Sequence, residues 1–331
     1  MIDTKAIING SRLELARLFT EVENETPVAE KALDALCPIT GKAYLIGITG
    51  APGTGKSSLV SSLAKHIRMN LNATVAVVAV DPSSPFTGGA ILGDRVRMRD
   101  LAGDPGVFIR SMASRGELGG LARTTAGVVQ AFDAAGYKYI LIETVGAGQS
   151  EVNIARLAHT TIVVEAPGLG DDIQAIKAGI LEIADLLIIN KADLPGADNT
   201  ERALRANLDL GINPHLNHDA AHRINSVEMA ESNKGWVPPI LKTVAINDQG
   251  ISEVVESLLQ HRIYLNETGL WTRREKERLH NEVNHLLQKR LMERWRKQVP
   301  HQQYDAVLNK VYERLISPRE AIDSLLIDSY N

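Results

Sequence analysis

The chain has 331 residues, of which 44% are hydrophobic and 23% are charged, and its formal net charge is −4. These proportions are those of a folded globular protein, and they exclude a disordered chain, a collagen-like chain and a small disulfide-rich module. A weakly acidic chain lacks the broad basic surface of a general nucleic-acid binder. We therefore predict neither a nucleic-acid partner nor a membrane partner.

Cysteine content and apolar runs limit the expected location. Cys37 is the only cysteine, which excludes an intrachain disulfide and a cysteine-based zinc cluster. No apolar run reaches the roughly 18 residues that a membrane-spanning helix needs. The N-terminal stretch carries an early acid, Asp3, and does not have the pattern of a signal peptide. We expect a cytoplasmic protein.

The first predicted elements are helices, and strands follow them. Apolar residues recur at helical spacing from Ile7 to about Leu36, and Pro27 is expected to open a second helix within this stretch. The pattern then changes to short apolar runs rich in Val and Ile. These runs are Tyr44–Ile48, Val75–Val80, Val107–Ser111, Tyr139–Ile142, Thr161–Val164, Leu186–Ile189 and Ile240–Val244. Apolar strands that alternate with helices predict a parallel sheet covered on both faces.

After Gly250 the pattern is helical again. The expected helices are Ile251–Leu265, Trp271–Lys297, Ala306–Leu315 and Pro318–Ser329. The second of them carries an apolar stripe that consists of Leu279, Val283, Leu286, Leu287, Leu291 and Trp295. We therefore predict a helical extension over residues 1–40, a central α/β domain over 41–262 and a helical arm over 263–331.

A phosphate-binding loop follows the first predicted strand directly. Its sequence, G-A-P-G-T-G-K-S, satisfies G-x-x-x-x-G-K-[ST] between a strand and a helix, and this predicts a three-layer P-loop NTPase sandwich. Glycines let backbone N–H groups approach phosphate oxygens, and the helix N-terminus adds partial positive charge. We expect Lys56 to reach the β and γ phosphates and Ser57 to bind Mg²⁺. Nucleotide contacts are expected from Gly50, Ala51, Pro52, Gly53, Thr54, Gly55, Lys56, Ser57 and Ser58.

A second nucleotide motif, Asn190-Lys191-Ala192-Asp193, follows the sixth apolar run and has the N-K-x-D pattern of G proteins. Guanine offers two adjacent donors, N1–H and the 2-amino group, and one carboxylate accepts from both. Adenine would place an acceptor against the same carboxylate, which costs binding energy. Asp193 is therefore the expected specificity residue, and Asn190 and Lys191 are expected to brace the loop and pack on the base.

A third, backbone contact with the base is expected downstream. The stretch Val244, Ala245 and Ile246 ends another predicted strand, where a backbone N–H could reach the guanine oxygen. That role requires no particular side chain.

Acidic residues at predicted strand ends are candidates for a metal and γ-phosphate site. Glu143 ends the hydrophobic fourth run, and Gly146 follows it with an N–H that could contact the γ-phosphate. A carboxylate at a strand tip can hold Mg²⁺ or its waters. Asp81 and Asp94 could lie near the same metal, although Asp81 could also cap a turn before Pro82, and Asp94 could be a solvated loop acid.

Hydrolysis could involve further polar residues. Gln149 could orient the attacking water, although an ordinary polar loop residue is the commoner explanation. An arginine cluster could supply charge to the transition state, or it could form a solvated or partner-facing surface. Its members are Arg95, Arg97, Arg99, Arg110, Arg115 and Arg123.

Three segments together resemble one family. The stretches DPSSPFTGGAILGDRVRM (residues 81–98), ETVGAGQSE (143–151) and APGLGDDIQAIKAGI (166–180) are similar to those of the methylmalonyl-CoA mutase-associated G proteins. These are the MeaB-like GTPases, once labelled ArgK or LAO/AO transport-system ATPases. The resemblance extends from about residue 5 to the end. Two departures, at Ala147 and Val244, change packing and leave the backbone donor intact.

The resemblance implies a fold in the signal-recognition-particle-like branch of P-loop GTPases. It further implies a homodimer formed by the C-terminal helices, and a partner that is an adenosylcobalamin-dependent methylmalonyl-CoA mutase. The G protein would act as a chaperone that gates cofactor loading and protects the mutase. The metal and hydrolysis set would be Lys56, Asp81, Asp94 and Glu143, with Ser57 as a further metal ligand, and an additional switch would contain Asp171, Asp172 and Lys177.

Two other functions stay open at this stage. The older label suggests an ATPase or kinase that serves a periplasmic basic amino-acid transport system, and this would require adenine preference. A metal-insertion GTPase would need a cluster of metal ligands. His215, His218 and His222 are the only local histidine group, and their Asn-Pro setting favours a loop or a solvated helix over a metal site.

Overall fold

The computed structural model describes residues 2–81, Met98, Leu101, 103–113, 118–144, 150–168, 178–210 and 235–327. By internal contacts the chain forms two compact units, Met1–Glu275 and Lys276–Asn331. The first unit holds the N-terminal helices together with the sheet. The three-part layout given above stays a prediction.

A seven-stranded sheet is the centre of the first unit. The strands are β1 Tyr44–Gly50, β2 Val75–Asp81, β3 Val107–Ala113, β4 Tyr139–Thr144, β5 Thr160–Glu165, β6 Leu186–Asn190 and β7 Ile240–Thr243. Their order is β3-β2-β4-β1-β5-β6-β7, and every pairing is parallel. The predicted parallel sheet is therefore confirmed, and its carboxyl-terminal edge brings the ends of all seven strands together.

The strands differ from the apolar runs mainly at their ends. Six of them continue past the run because backbone pairing extends through polar residues such as Thr49, Thr144 and Asn190. The seventh, β7, ends one residue early, and Val244 instead forms an isolated bridge with Gln249.

Helices cover both faces of the sheet. In the first unit they are α1 Thr4–Ile8, α2 Arg12–Glu23, α3 Pro27–Leu36, α4 Lys56–Asn70, α5 Leu118–Ala134, α6 Ser150–Leu157, α7 Ala178–Leu181, α8 Ala197–Leu210 and α9 Ile251–Glu267. One core joins the sheet to α4 and α9, and another joins its opposite face to α2, α3, α5 and α6. This is the predicted three-layer sandwich. No described helix has the length and apolarity needed to cross a membrane.

The N-terminal helices pack on the sheet and make polar contacts with its edge strand, β3. As predicted, α3 begins at Pro27, whereas the stretch before it is divided into two helices. Arg12 donates from Nη1 to the Val107 carbonyl at 2.7 Å, and its guanidinium lies 4.7 Å from the Phe108 ring centroid. Arg110 pairs with Glu23, with an Nη2–Oε1 distance of 2.6 Å. The sheet and these helices are therefore one packed body.

The long helix α10, Leu270–Gln298, begins in the first unit. The second unit contains the rest of it with α11 His301–Tyr312 and α12 Pro318–Ile327. The third predicted C-terminal helix thus begins five residues early, after Pro300, and ends early, before Arg314 takes a positive φ of 59°. Within this unit the Trp295 indole donates to the Leu325 carbonyl at 3.2 Å.

A buried polar network ties the start of α10 to the amino-terminal edge of the sheet. Asp185, just before β6, is only 2% exposed and accepts from Arg274 at 2.9 and 3.0 Å and from the Thr161 amide at 2.8 Å. His261 Nε2 lies 3.4 Å from the same carboxylate. Burial alone would raise the pKa of Asp185, but the Arg274 charge, then His261 and the hydrogen bonds, hold that pKa well below its usual range.

Aromatic packing surrounds this network. His159 accepts from the Leu45 amide at Nδ1 (3.0 Å), so its Nε2 carries the proton that faces Glu275 Oε1 at 2.6 Å. The ring of Trp271 stacks on His159 with a centroid distance of 3.8 Å. The Trp236 indole donates to the Asp185 carbonyl at 2.8 Å.

The Asp185 network predicts a large effect of a nearly isosteric change. We expect Asp185→Asn to lower the free energy of unfolding by about 3 kcal/mol at pH 7, because Arg274 would lose its buried counter-charge. The matched control is Asp198→Asn. Its carboxylate also pairs with a cation, Lys242, but is 83% exposed, so its loss should cost well under about 1 kcal/mol. Denaturant unfolding measures both.

The pH dependence gives a second check. Because the folded pKa of Asp185 is depressed, its contribution is fully present above the unfolded pKa of about 3.9 and is lost as pH falls towards the folded pKa. The difference in free energy of unfolding between wild type and Asp185→Asn should therefore become smaller below about pH 4. Equal destabilisation by the two variants at pH 7 would contradict this account.

Candidate nucleotide-binding site

The candidate site lies at the carboxyl-terminal edge of the sheet, where β1 leads into the glycine-rich loop and then into α4. Strand β1 lies between β4 and β5, so the loop emerges next to the ends of both. Thr144 of β4 donates to Thr49 of β1 (3.0 Å) at this edge, and both are fully buried. Crevices at the carboxyl ends of parallel strands are the usual place for ligands in such sheets.

Two glycines of the loop are required by its geometry. Gly50 has a φ of +139°, and a Cβ there would lie 2.1 Å from the Val164 carbonyl oxygen. Gly55 has a φ of +89°, and a Cβ there would lie 2.4 Å from the Asn190 side-chain nitrogen. Side chains rarely adopt such conformations and would also collide with neighbouring groups. The shape of the loop therefore depends on these two positions.

The loop curls around the ammonium group of Lys56. Its Nζ donates to the carbonyls of Gly50 (2.9 Å) and Ala51 (3.0 Å), and the residue is 6% exposed. Helix α4 begins at Lys56, and its N-cap, Gly55, provides no side-chain hydrogen bond to the first turn. Backbone N–H groups at such a helix start, with the helix dipole behind them, suit phosphate oxygens.

The sheet edge brings oxygen ligands together beside this loop. Ser57 Oγ donates to Glu143 Oε1 at 2.6 Å, and both residues are buried. In the sheet, Glu143 is paired with Ile48 of β1 and with Ala79 of β2, and Asp81 ends β2 two residues further on. A hydroxyl and a carboxylate are oxygen donors of the kind that Mg²⁺ prefers. Asp94 and Gly146 lie outside the described residues.

Asn190 connects the phosphate loop to the loop after β7. Its Nδ2 donates to the Thr54 carbonyl at 2.9 Å. Its Oδ1 accepts from Thr243 Oγ1 and from the Ala245 backbone N–H, both at 3.1 Å. Its Nδ2 also donates to the Gly55 carbonyl at 3.4 Å, so these contacts are all with backbone groups or with a buried hydroxyl. Thr54 and Thr243 have these roles without any sequence signal, since neither contact depends on a recognisable pattern.

Two neighbouring residues of this motif, Lys191 and Asp193, are less buried than Asn190. Lys191 has a φ of +57°, and its Nζ donates to the Gly53 carbonyl at 2.7 Å, so its side chain crosses over the phosphate loop. Asp193 is exposed. In the third base-contacting stretch, Val244 is buried, the Ala245 amide is engaged by Asn190, and the Ile246 side chain is exposed. The base contacts of these residues stay predictions.

Among the proposed hydrolysis residues, Arg110 is engaged elsewhere, because it pairs with Glu23 on the N-terminal helices. Arg123 lies in α5. Arg95, Arg97, Arg99, Arg115, Gln149, Asp171, Asp172, Lys177, His215, His218 and His222 lie outside the described residues. Within the described part of the chain, no group of three or more His, Cys, Asp and Glu side chains is placed to hold a metal.

A family model described as methylmalonyl Co-A mutase-associated GTPase MeaB matches residues 15–299, a span that contains both nucleotide motifs. The chain belongs to the MeaB family of GTPases. As a MeaB-family GTPase it binds guanine nucleotides and hydrolyses GTP, and this confirms the family and the activity predicted from sequence.

Relatives and a solved structure agree with this assignment. A Pyrococcus abyssi protein named as a candidate GTPase is 41% identical over 96% of this chain and 93% of its own length. The Caenorhabditis elegans protein named methylmalonic aciduria type A homolog, mitochondrial, is 30% identical over 83% of this chain and 69% of its own. A crystal structure described as LAO/AO transport system kinase is 25% identical, with a TM-score of 0.67, and the match covers 99% of this chain and 96% of that one.

The contact between Gly55 and Asn190 leads to a test. In this MeaB-family GTPase, we expect Gly55→Ala to weaken GDP binding by about tenfold or more, because the new methyl group would displace the Asn190 amide from the loop. Gly41→Ala is the matched control. Gly41 has nearly the same φ, +87°, but nothing lies within 4 Å of a Cβ built there.

Both substitutions place a side chain at a positive φ, which costs roughly 1 kcal/mol of stability, so both should lower the melting temperature. Only Gly55→Ala should lose GDP affinity. Calorimetric titration with Mg²⁺ and GDP measures the difference, and equal GDP affinities in the two variants would show that the steric argument is wrong.

Proposed function

We propose that this GTPase is a chaperone of an adenosylcobalamin-dependent methylmalonyl-CoA mutase, that it gates cofactor loading, and that it protects the mutase. The observation that carries this proposal is the family match over residues 15–299, since the family is described by its association with that mutase. The name of the C. elegans relative, methylmalonic aciduria type A homolog, supports the same connection. We expect the protein to act in the cytoplasm.

We place the triphosphate in the loop from Gly50 to Ser58, with Lys56 towards the β and γ phosphates and Gly146 at the γ-phosphate. The guanine would lie against Lys191, with Asp193 accepting from N1–H and the 2-amino group. Three features support this placement: the conformation of the glycines, the ammonium group at the centre of the loop, and the exposed carboxylate at the end of the base motif.

Mg²⁺ fits the donors of this site. Ser57 and Glu143 would hold it, and Asp81 and Asp94 are the further proposed members. The bound ion would neutralise phosphate charge. On the protein side, Lys56 stabilises negative charge on the phosphate oxygens, and the helix N-terminus orients the chain of phosphates for in-line attack by water.

Intrinsic hydrolysis should be slow. Of the arginines whose side chains the structure describes, Arg110 was the candidate for transition-state stabilisation, and it is bound to Glu23 on the opposite side of β3 from α4. An arginine that contacts the γ-phosphate in the transition state raises the rate of GTP hydrolysis by several orders of magnitude. We therefore propose that binding of the mutase accelerates turnover.

The role of Asp193 predicts a change of base preference. Xanthine keeps N1–H but carries an oxygen in place of the 2-amino group. We expect Asp193→Asn to bind XDP more tightly than GDP, because an amide offers one acceptor for N1–H and one donor for the new oxygen.

Wild type should prefer GDP by about 100-fold or more, and the variant should reverse the order. Competition of XDP and GDP against a fluorescent nucleotide measures both ratios. A variant that loses affinity for both nucleotides equally would contradict the base contact while leaving the phosphate site intact.

The partner assignment is tested with purified methylmalonyl-CoA mutase. We expect the mutase to be retained by the immobilised GTPase, and GTP turnover to rise about tenfold or more when the mutase is added. An acyl-CoA enzyme that does not use adenosylcobalamin serves as the control protein. Unchanged turnover with a mutase that is retained would contradict acceleration, and no retention in any nucleotide state would contradict the chaperone role.

We propose that the second unit forms a homodimer. The apolar stripe on α10 is exposed to solvent in a single copy of the chain. Its exposed fractions are 41–61% for Leu279, Val283, Leu286, Leu287 and Leu291. Apolar patches of this kind mark association surfaces in soluble proteins.

A second candidate function is that of an ATPase or kinase in basic amino-acid transport. The similar structure described as LAO/AO transport system kinase favours it. Such an activity would require adenine preference and a phosphate acceptor on a protein. Asp193 would face the N1 lone pair of adenine, and this disfavours ATP. Binding of labelled ATP and GTP distinguishes the two functions.

A further inference from the structure

Helix α4 contacts the loop after β7 through a serine that no sequence motif contains. Ser62 lies six positions beyond Lys56 (62 − 56), in the second turn of the helix, and is 8% exposed. Its Oγ donates to the carbonyl of Ala245 at 2.7 Å. The two residues are 183 positions apart in the chain, so the contact exists only in the folded protein.

The backbone of Ala245 is thereby held at both of its polar groups. Its N–H donates to Asn190 Oδ1 at 3.1 Å, and its carbonyl accepts from Ser62. The carbonyl also accepts from the Asp248 N–H at 3.2 Å, so removal of the Ser62 hydroxyl would take away the shorter of its two hydrogen bonds and loosen its position. Asn190 and Ser62 therefore fix this backbone from two independent elements, β6 and α4.

The rest of the loop is closed tightly around these contacts. Val244 and Gln249 exchange backbone hydrogen bonds at 3.1 and 3.3 Å. Gly250 has a φ of +76°, and a Cβ there would lie 2.2 Å from the Lys242 carbonyl. Asp248 accepts from Lys65 of α4 at 2.9 Å, and this hydrogen bond lowers the pKa of its carboxyl group. Two consecutive turns of α4 thus hold one short loop.

The same helix carries the phosphate site at its start. Lys56 and Ser57 lie in its first turn, and Ser62 lies in the second. A helix is rigid, with a rise of about 1.5 Å per residue. The separation between the phosphate subsite and the loop at Ala245 is therefore set within one element.

We propose that Ser62 is a positioning residue for guanine recognition, because it fixes the backbone at Ala245 and Ile246 against the O6 edge of the base. This inference rests on the proposed placement of guanine between Asp193 and that backbone. Ser62 itself does not touch the nucleotide. Because the Ala245 N–H is engaged by Asn190, Ser62 would set how well the next N–H, that of Ile246, is aligned with the oxygen of the base.

The test compares Ser62→Ala with Ser61→Ala. Ser61 is the preceding serine of the same helix and is partly exposed, so the control makes the same chemical change outside the contact. GDP, 6-thio-GDP and IDP are the probes. The first analogue changes only the O6 edge, and the second lacks only the 2-amino group that Asp193 is proposed to bind.

We expect Ser62→Ala to release GDP about threefold to tenfold faster and to bind it correspondingly less tightly. Its preference for GDP over 6-thio-GDP should fall by a similar factor, whereas its preference for GDP over IDP should not change. Ser61→Ala should behave as wild type in all three measurements. Ser62→Thr keeps the hydroxyl and should restore the preference for GDP over 6-thio-GDP, even if its added methyl group lowers the melting temperature.

Two results would overturn the inference. In one, GDP release from Ser62→Ala is as slow as from Ser61→Ala. In the other, Ser62→Ala loses affinity for GDP, 6-thio-GDP and IDP by the same factor, which shows a purely structural role. Failure of the underlying placement is seen in wild type alone: a protein that binds GDP and IDP equally does not use Asp193 as proposed, and this overturns the inference as well.

Discussion

The side-chain amide of Asn190 is the contact on which the nucleotide edge of this protein depends. It donates to the carbonyl of Thr54 in the phosphate loop and accepts from the backbone of Ala245 in the loop after β7. Both loops lie outside the strands, so the hydrogen bonds of the sheet do not fix them relative to each other. Because one buried amide satisfies groups on both, a displacement of either loop would leave a buried polar group unpaired, which costs about 1–3 kcal/mol. The absence of a side chain at Gly55 is what makes room for this amide.

The sheet order explains why these loops meet at all. Strand β1 occupies the centre of the sheet. Strands β2, β3 and β4 lie on one side of it and β5, β6 and β7 on the other, so β4 and β6 end on opposite sides of the phosphate loop. Glu143 reaches the loop from one side and Asn190 from the other. The carboxylate of Glu143 and the amide of Asn190 are thus kept on separate sides of the loop by the strand order. Family membership is consistent with this division of roles.

The apolar runs were sufficient to predict the strands and their parallel arrangement, since burial on both faces leaves a continuous hydrophobic signal. The ends of the strands were less predictable. Backbone pairing continues through Thr49, Thr144 and Asn190, whose polar side chains break the apolar pattern while they build the site. The two nucleotide motifs could be found because several chemical requirements fall close together in sequence. Ser62 could not be found, because its partner is 183 residues away and a serine on a helix has no distinctive pattern.

Two of the three tryptophans, Trp236 and Trp271, lie away from the nucleotide edge of the first unit. Trp236 and Trp271 pack around Asp185 and His159, at the amino-terminal ends of the strands, and Trp295 packs on Tyr304 within the second unit. Tryptophan fluorescence therefore reports on the amino-terminal edge of the sheet and on the C-terminal helices. In the first unit, neither tryptophan lies at the nucleotide edge. A change in the emission of Trp236 or Trp271 when nucleotide is added would therefore be a signal transmitted through the sheet, since neither ring lies at the nucleotide edge.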